Sequence, residues 1–194
     1  MRHDAMDDGA PPSRGVAFAR THQPPARFFN LSQLRQLRGC EQVAAVCYRI
    51  RGSGIEFLLV RTNSGHWTFP KGGTEPGLTH AQAAALEAFE EAGVHGRMEE
   101  SSFTQYVRRK RSDTRTGKSA EKERTVSAHL CEVLRLDPPQ EPNRDPTWFS
   151  VETAKRRLRE DRQADFATEL ARVVDRAVVR IQRLRLGRLS STRC

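Results

Sequence analysis

The 194-residue chain lacks any long apolar stretch. A membrane-spanning helix needs about 20 consecutive apolar residues, and no segment of this sequence approaches that length. Residues 1–10 are polar and partly acidic, without the apolar centre of a secretory signal peptide. We therefore expect no membrane association and a location in the cytoplasm.

Cysteine is also sparse. The four cysteines, Cys40, Cys47, Cys131 and Cys194, are widely separated and form no CxxC pair. This spacing argues against a zinc cage and against a disulfide framework. Cysteine usage therefore agrees with a reducing compartment.

Acidic residues are too few to balance the basic ones, with 24 Asp and Glu against 33 Lys and Arg and a net charge of +9. The excess lies in two blocks. Residues 155–194 hold 12 basic and 5 acidic residues, and residues 108–124 hold 8 and 3. A basic surface suits a polyanion such as a polyphosphate compound or nucleic acid. Aromatic residues for base stacking are few, at 7% of the chain, so nucleic acid is the second choice.

The chain divides into three parts. Residues 1–40 mix prolines with polar and small residues, which predicts a flexible extension with room for a short helix at 31–38. A domain is predicted at 41–160, followed at 161–194 by an amphipathic basic helix and a tail. Strands are expected at 42–48, 55–61, 66–69, 103–110, 125–136 and 147–149, and helices at 80–92, 150–159 and 164–186.

The best-marked helix, 80–92, carries the charge chemistry. Thr79 and Gln82 form a capping-box pattern at its start, and Gly93 suits its end. Three glutamates, Glu87, Glu90 and Glu91, fall on one side, and no Lys or Arg of this helix compensates them. The opposite side, with Ala81, Ala85, Phe89 and Ala92, is expected to pack against a sheet. The glutamates form a solvated acidic face, or they face basic side chains from another element, or they make an oxygen-rich site for Mg²⁺, with Mn²⁺ as the alternative metal.

The segment before this helix favours the metal site. Lys71, Gly72 and Gly73 form a loop in which the backbone can approach a phosphate closely, because glycine has no Cβ. Lys71 adds a positive charge for binding substrate. A phosphate-binding loop next to a carboxylate helix is typical of metal-assisted phosphoryl chemistry.

Residues 72–94, GGTEPGLTHAQAAALEAFEEAGV, resemble the Nudix box, G-x5-E-x7-R-E-u-x-E-E-x-G-u, where u is aliphatic. Gly72, Glu87, Glu90, Glu91 and Gly93 match it without insertion. The resemblance extends over about residues 42–160. It implies an α/β fold, the Nudix α/β/α sandwich, with a mixed β-sheet between helices.

The resemblance also implies a Nudix pyrophosphohydrolase. In such an enzyme Glu87, Glu90 and Glu91, with the carbonyl of Gly72, hold Mg²⁺ next to the substrate. Glu90 is our candidate for the residue that accepts the proton of the attacking water. A carboxylate outside the box, Glu121 or Glu123, is the alternative.

The most similar branch of the family acts on diadenosine polyphosphates and diphosphoinositol polyphosphates, which are our expected substrates. The candidate substrate-binding residues are Lys71 and four basic residues of the 108–124 block: Arg109, Arg111, Lys122 and Arg124. Two alternatives stay open: an RNA 5′-end pyrophosphohydrolase, and a Nudix domain that binds ligand or RNA with little catalysis. The long final helix leaves a homodimer open.

Two positions depart from the box. Leu78 stands where the pattern has its first glutamate, and Leu86 stands where it has arginine. Replacing both members of a polar pair costs less than replacing one. We therefore predict an apolar contact between Leu78 and Leu86.

Overall fold

The computed structural model describes residues 41–52, 54–111 and 121–191. The predicted extension at 1–40, its short helix at 31–38 and residues 112–120 of the basic 108–124 block lie outside these ranges. Eight strands and three helices are present among the described residues. The strands are β1 Glu41–Arg51, β2 Gly54–Arg61, β3 Trp67–Thr68, β4 Lys71–Gly73, β5 Val94–Met98, β6 Thr104–Arg111, β7 Glu121–Leu136 and β8 Thr147–Ser150; the helices are α1 His80–Ala92, α2 Val151–Arg159 and α3 Ala164–Ser191.

The sheet is mixed, as expected. Strand β1 pairs antiparallel with β2 and with β4, and it pairs in parallel with the long strand β7. Strand β7 holds β6 along its first half and β5 along its second half, both antiparallel. Strand β8 pairs with the free side of β2.

Strand β1 is buried on both faces, because helices cover both sides of the sheet. Val43, Ala45 and Cys47 pack with the alanines of α1 on one side. Ala44 and Val46 point the other way, into a core that includes residues of α2 and α3. This alternation confirms the predicted α/β/α sandwich.

Helix α1 has the predicted bounds but a different packing face. Its buried residues are Ala81, Ala83, Ala84, Ala88, Glu91 and Ala92, whereas Ala85 and Phe89 are half-buried. The small side chains of Ala84 and Ala88 let the helix lie close to the sheet. The predicted packing through Ala85 and Phe89 is wrong, because α1 is rotated so that Glu91 is on the covered side.

Two short strands were not expected. Lys71–Gly73, predicted as a loop, forms β4 because it pairs with β1, and Val94–Met98 forms β5 directly after α1. Helix α3 continues through Gly187 to Ser191 instead of ending near residue 186. No helix among the described residues combines the length and the apolar character needed to cross a membrane.

Candidate active site

Capping interactions at both ends set the position of α1. The Thr79 hydroxyl accepts the Gln82 N–H, and the Gln82 side chain accepts the Thr79 N–H, which completes the predicted capping box. At the other end Gly93 has a left-handed φ of 64°, and its N–H donates to Phe89. A Cβ at Gly93 would lie 1.8 Å from the backbone carbonyl oxygen of Asp137. Because both ends of α1 are fixed in this way, the glutamates of its last two turns have a defined position relative to the sheet.

Gly72 lies directly against Glu87. It pairs with Val43 in the β4–β1 ladder, and a Cβ at this position would come within 1.6 Å of Glu87 Oε1. Only glycine leaves room for the carboxylate at this place. The backbone of β4 and the Glu87 side chain are thus brought together as the sequence predicted.

Glu91 is the most buried of the three glutamates, with 3% of its side chain exposed. Its Oε1 lies 2.7 Å from Nη2 of Arg144, and its Oε2 accepts the Lys71 backbone N–H at 3.1 Å. Nη2 of Arg144 also lies 2.5 Å from Oε2 of Glu141. The connector at 137–146 therefore adds a further carboxylate, that of Glu141, and the guanidinium of Arg144 to the box glutamates.

The carbonyl of Glu90 holds this connector in place. It accepts the backbone N–H groups of Gln140 and Glu141, at 3.0 and 2.9 Å. The N–H of Asp137 donates to the Gly93 carbonyl at 2.8 Å. The last turn of α1 thus anchors the segment that carries Glu141 and Arg144 to the site.

Crowding of carboxylates in a half-buried place changes their acidity. Burial raises the pKa of Glu87 to about 7, and the charges of Glu91, Glu90 and Glu141 add to the rise. Burial also raises the pKa of Glu91, although Lys71 and Arg144 oppose it. The pKa of Lys71 falls to about 8, mainly through burial. The raised pKa values mean that the ionised form of these carboxylates is disfavoured, and a bound cation would stabilise that form.

A cavity of about 600 Å³ lies between β6 and the start of α3. Its lining includes His66, Val107 and Phe166, together with three arginines and three carboxylates: Arg108, Arg162, Arg172, Asp161, Asp165 and Glu169. Arg162 donates to the Trp67 carbonyl, and its guanidinium carbon lies 5.1 Å from the centre of the Phe166 ring. The charges of Arg108 and Arg162 both lower the pKa of Lys71. The charges at the cavity therefore act on Lys71, whose backbone N–H donates to Glu91.

Neither Arg108 nor Arg162 forms an ion pair with another described residue, and the buried Nε of Arg162 has no hydrogen-bond partner among them. Because the cavity lining also carries three carboxylates, its formal charge is balanced, and Arg108 and Arg162 are the candidate partners there for an anionic group of a ligand.

The NUDIX domain family model matches residues 41–170. The chain belongs to the Nudix family. It is 46% identical over 48 residues to the pig (Sus scrofa) bis(5′-nucleosyl)-tetraphosphatase [asymmetrical], a match that covers 24% of this chain and 33% of that protein. The chain thus matches about one third of the length of this curated relative.

Solved structures agree with the family assignment. The C. elegans Ap4A hydrolase superposes with a TM-score of 0.53 at 26% identity, over 73% of this chain and 98% of that one. The NUDIX domain of Shewanella oneidensis NrtR, complexed with ADP ribose, superposes with a TM-score of 0.51 at 17% identity, over 73% and 88% of the two chains. The second likeness shows the shared fold alone.

The donor set of this Nudix site fits a hard divalent cation. Glu87, Glu90 and the Gly72 carbonyl offer only oxygen atoms. Burial, and then the neighbouring carboxylates, raise the pKa of Glu87, and a bound cation would oppose both effects. Among the described residues no three acidic, His or Cys side chains already converge on one point. Glu91 is instead engaged by Arg144 and by the Lys71 N–H.

The predicted basic residues are placed unequally. Arg109 and Arg111 lie on β6, opposite Glu123 and Glu121 of β7, and Lys122 lies opposite Lys110. The structure describes only the backbone of Arg109, Arg111, Glu121 and Lys122. Arg124 is half-buried, and its Nε has no hydrogen-bond partner in the described part of the chain. Their contact with substrate stays a prediction.

Sequence reasoning missed Glu141, Arg144 and Arg162. The first two lie in a proline-rich connector, where no periodicity marks a functional residue. The signal that pointed to them was indirect: a helix with three glutamates and no base of its own needs a cation from elsewhere. Leu78 is 37% exposed and Leu86 is half-buried, and the predicted contact between them stays a prediction.

Proposed function

We propose that the chain is a Mg²⁺-dependent Nudix pyrophosphohydrolase that cleaves a small polyphosphate compound, with a diadenosine polyphosphate as its first candidate substrate. The observation that carries this proposal is the geometry of the box glutamates. Glu87 lies directly against Gly72 of β4, and the buried Glu91 beside it is held by Arg144 and by the Lys71 N–H.

The carboxylates and the Gly72 carbonyl would bind the metal, and one carboxylate would also accept the proton of the attacking water. Glu87, Glu90 and the Gly72 carbonyl would hold Mg²⁺, or Mn²⁺ in its place, and Glu91 completes the predicted set. The metal supplies charge neutralisation on the phosphates and lowers the pKa of a bound water. Glu90 is our candidate for accepting the proton of that water. Glu141, which raises the pKa of Glu87, is a second candidate near the cluster.

The positive side chains would bind the phosphate chain. Arg108 and Arg162 lie at the cavity, and Lys71 lies beside Glu91, which accepts its backbone N–H. Arg109 and Arg111 of β6 and Lys122 and Arg124 of β7 are the further candidates for this role. Guanidinium groups suit this role because they bind phosphate oxygens in pairs.

The lining of the cavity favours a nucleoside over an inositol as the attached group. Phe166, Val107 and His66 offer aromatic and apolar surface, which suits a flat base. A diphosphoinositol polyphosphate has no flat apolar face, and it is the second candidate. The likeness to the pig tetraphosphatase and to the C. elegans Ap4A hydrolase supports the same order.

Other partner predictions stay proposals. A 5′-triphosphate RNA end is the nucleic-acid alternative, supported by the charge of α3. A homodimer through α3, a cytoplasmic location and a ligand-binding domain with little catalysis are also untested.

A substrate panel tests the proposal. Diadenosine tetraphosphate, a diphosphoinositol polyphosphate and a 5′-triphosphate RNA oligonucleotide are each incubated with Mg²⁺ and with native protein, Glu87→Gln or Glu91→Gln. We expect turnover of the first compound that falls at least about 100-fold in both variants. Glu100→Gln, at an exposed position, is the matched control and should retain native turnover. Equal turnover in all four proteins, or none in any, contradicts the proposal.

A further inference from the structure

The Glu91 carboxylate has a cation partner that does not come from its own helix. Residues 80–92 contain no Lys or Arg, yet Glu91 is almost fully buried. A buried carboxylate without a partner is strongly destabilising. The guanidinium of Arg144 supplies this partner at 2.7 Å.

Arg144 is itself held firmly. Its carbonyl accepts the Arg61 N–H, and its Nη1 donates to the Arg61 carbonyl at 3.4 Å. Its Nε donates to Glu141 Oε2 at 2.7 Å. Only 16% of its side chain is exposed. The guanidinium is therefore ordered by β2 on one side and by its own connector on the other.

One guanidinium joins two carboxylates from different elements. Nη2 contacts Glu91 of α1 and Glu141 of the connector, while Nε contacts Glu141 as well. The planar fork of arginine can make these contacts at once, whereas the single ammonium of lysine cannot reproduce the geometry. The arrangement determines the direction of both carboxylates beside Glu87 and Gly72.

We propose that Arg144 is a positioning residue of the active site, which fixes Glu91 and Glu141 beside Glu87 and Gly72, the candidate metal-binding groups. Arg144 lies outside the Nudix box, and the box position that has arginine in the family pattern, 86, is a leucine in this chain. The kinetic part of this inference rests on the proposed function, whereas the metal-binding part does not.

A purely structural role is the competing explanation, because Arg144 also ties the connector to β2. Loss of such a role would lower stability and leave the metal affinity of the folded protein unchanged. Loss of a positioning role would lower metal affinity and kcat in protein that is still folded, with little change in KM.

The test compares native protein with Arg144→Gln, Arg144→Lys and Arg135→Gln. Arg135 is the matched control, since it is 65% exposed and its ion partner Asp137 begins the same connector. Folding is checked by the thermal midpoint, Mn²⁺ affinity is measured on substrate-free protein by electron paramagnetic resonance, and kcat and KM are measured with the best substrate of the panel.

We expect Arg144→Gln to weaken Mn²⁺ binding and to lower kcat by about 10- to 100-fold each, the usual cost of losing a residue that orients metal ligands. KM should change less than about threefold. Arg144→Lys should fold like native protein, because the charge is kept, and should still lose at least about tenfold in Mn²⁺ affinity. Arg135→Gln should match native protein in every measurement.

Native Mn²⁺ affinity in Arg144→Lys, or in folded Arg144→Gln, would overturn the inference. If Arg144→Gln does not fold, the lysine variant decides alone. A native protein that binds Mn²⁺ but hydrolyses nothing in the panel would contradict the proposed function and leave the Mn²⁺ comparison able to judge Arg144. A native protein that binds no Mn²⁺ would overturn both.

Discussion

Substitution of Gly72 by alanine should separate activity from stability. The added Cβ would lie 1.6 Å from Glu87 Oε1, whereas such contacts essentially never fall below 3.0 Å. The carboxylate would have to retreat by about 1.4 Å. Because the obstacle is the end of a flexible side chain, we expect the fold to accept the change by moving Glu87.

The magnitude follows from that displacement. A misplacement of about 1 Å in a reacting constellation can cost about 100-fold in rate, which corresponds to about 2.7 kcal/mol in the activation free energy. Gly72→Ala should therefore lower kcat by at least about 100-fold, while the thermal midpoint falls by only a few degrees.

Gly73→Ala is the matched control. Gly73 follows directly in β4, and a Cβ there meets no atom within 4 Å. The assay measures steady-state hydrolysis of diadenosine tetraphosphate with Mg²⁺, together with the thermal midpoint of each variant. If Gly72→Ala retains the kcat of Gly73→Ala, the close approach of Gly72 and Glu87 has no role in catalysis.

Further predictions concern stability, pH and substrate binding. Thr79→Ala removes the capping box and should cost about 1 kcal/mol, or about 2–4 °C in the thermal midpoint; an unchanged midpoint contradicts the role of the cap. In metal-free protein the pKa of Glu87, about 7, lies above its ordinary value of 4.5. The folded state therefore keeps a proton that the unfolded chain loses, so stability should fall as the pH rises from 4.5 to 7. Glu87→Gln should flatten that part of the curve of thermal midpoint against pH, and an unchanged slope refutes the assignment. Charge reversal of Arg109 and Arg111 should raise KM for a tetraphosphate about threefold or more, and an unchanged KM removes these residues from substrate binding. Leu86→Arg should lower stability or leave activity no better, because it introduces a lone charge at a half-buried position; a marked gain in both would contradict the predicted apolar pair.

Local signals were strong enough to predict much of the fold. The bounds of α1 are those expected from Thr79, Gln82 and Gly93, because capping groups act within one turn. Strand β1 was evident from its continuous apolar run. The short strands β4 and β5 were missed, since Lys71–Gly73 has no strand propensity and is extended only because β1 lies beside it.

The candidate site divides in the same way. Gly72 and the three glutamates could be read from spacing, because a helix places residues three and four apart on one side. The degree of burial of each glutamate could not be read, since it depends on the rotation of α1 against the sheet. That rotation buries Glu91 and places Glu87 in contact with Gly72.

The sequence by itself determined the Nudix box, the α/β class, the position of α1 and the concentration of basic charge in two blocks. Only the tertiary structure decided which cationic side chain forms an ion pair with the acidic helix. Arg144 is 53 residues from Glu91 along the chain, and the two meet because the Glu90 carbonyl anchors the connector to α1. Contacts between segments so distant in sequence arise from packing, and no local pattern of residues encodes them.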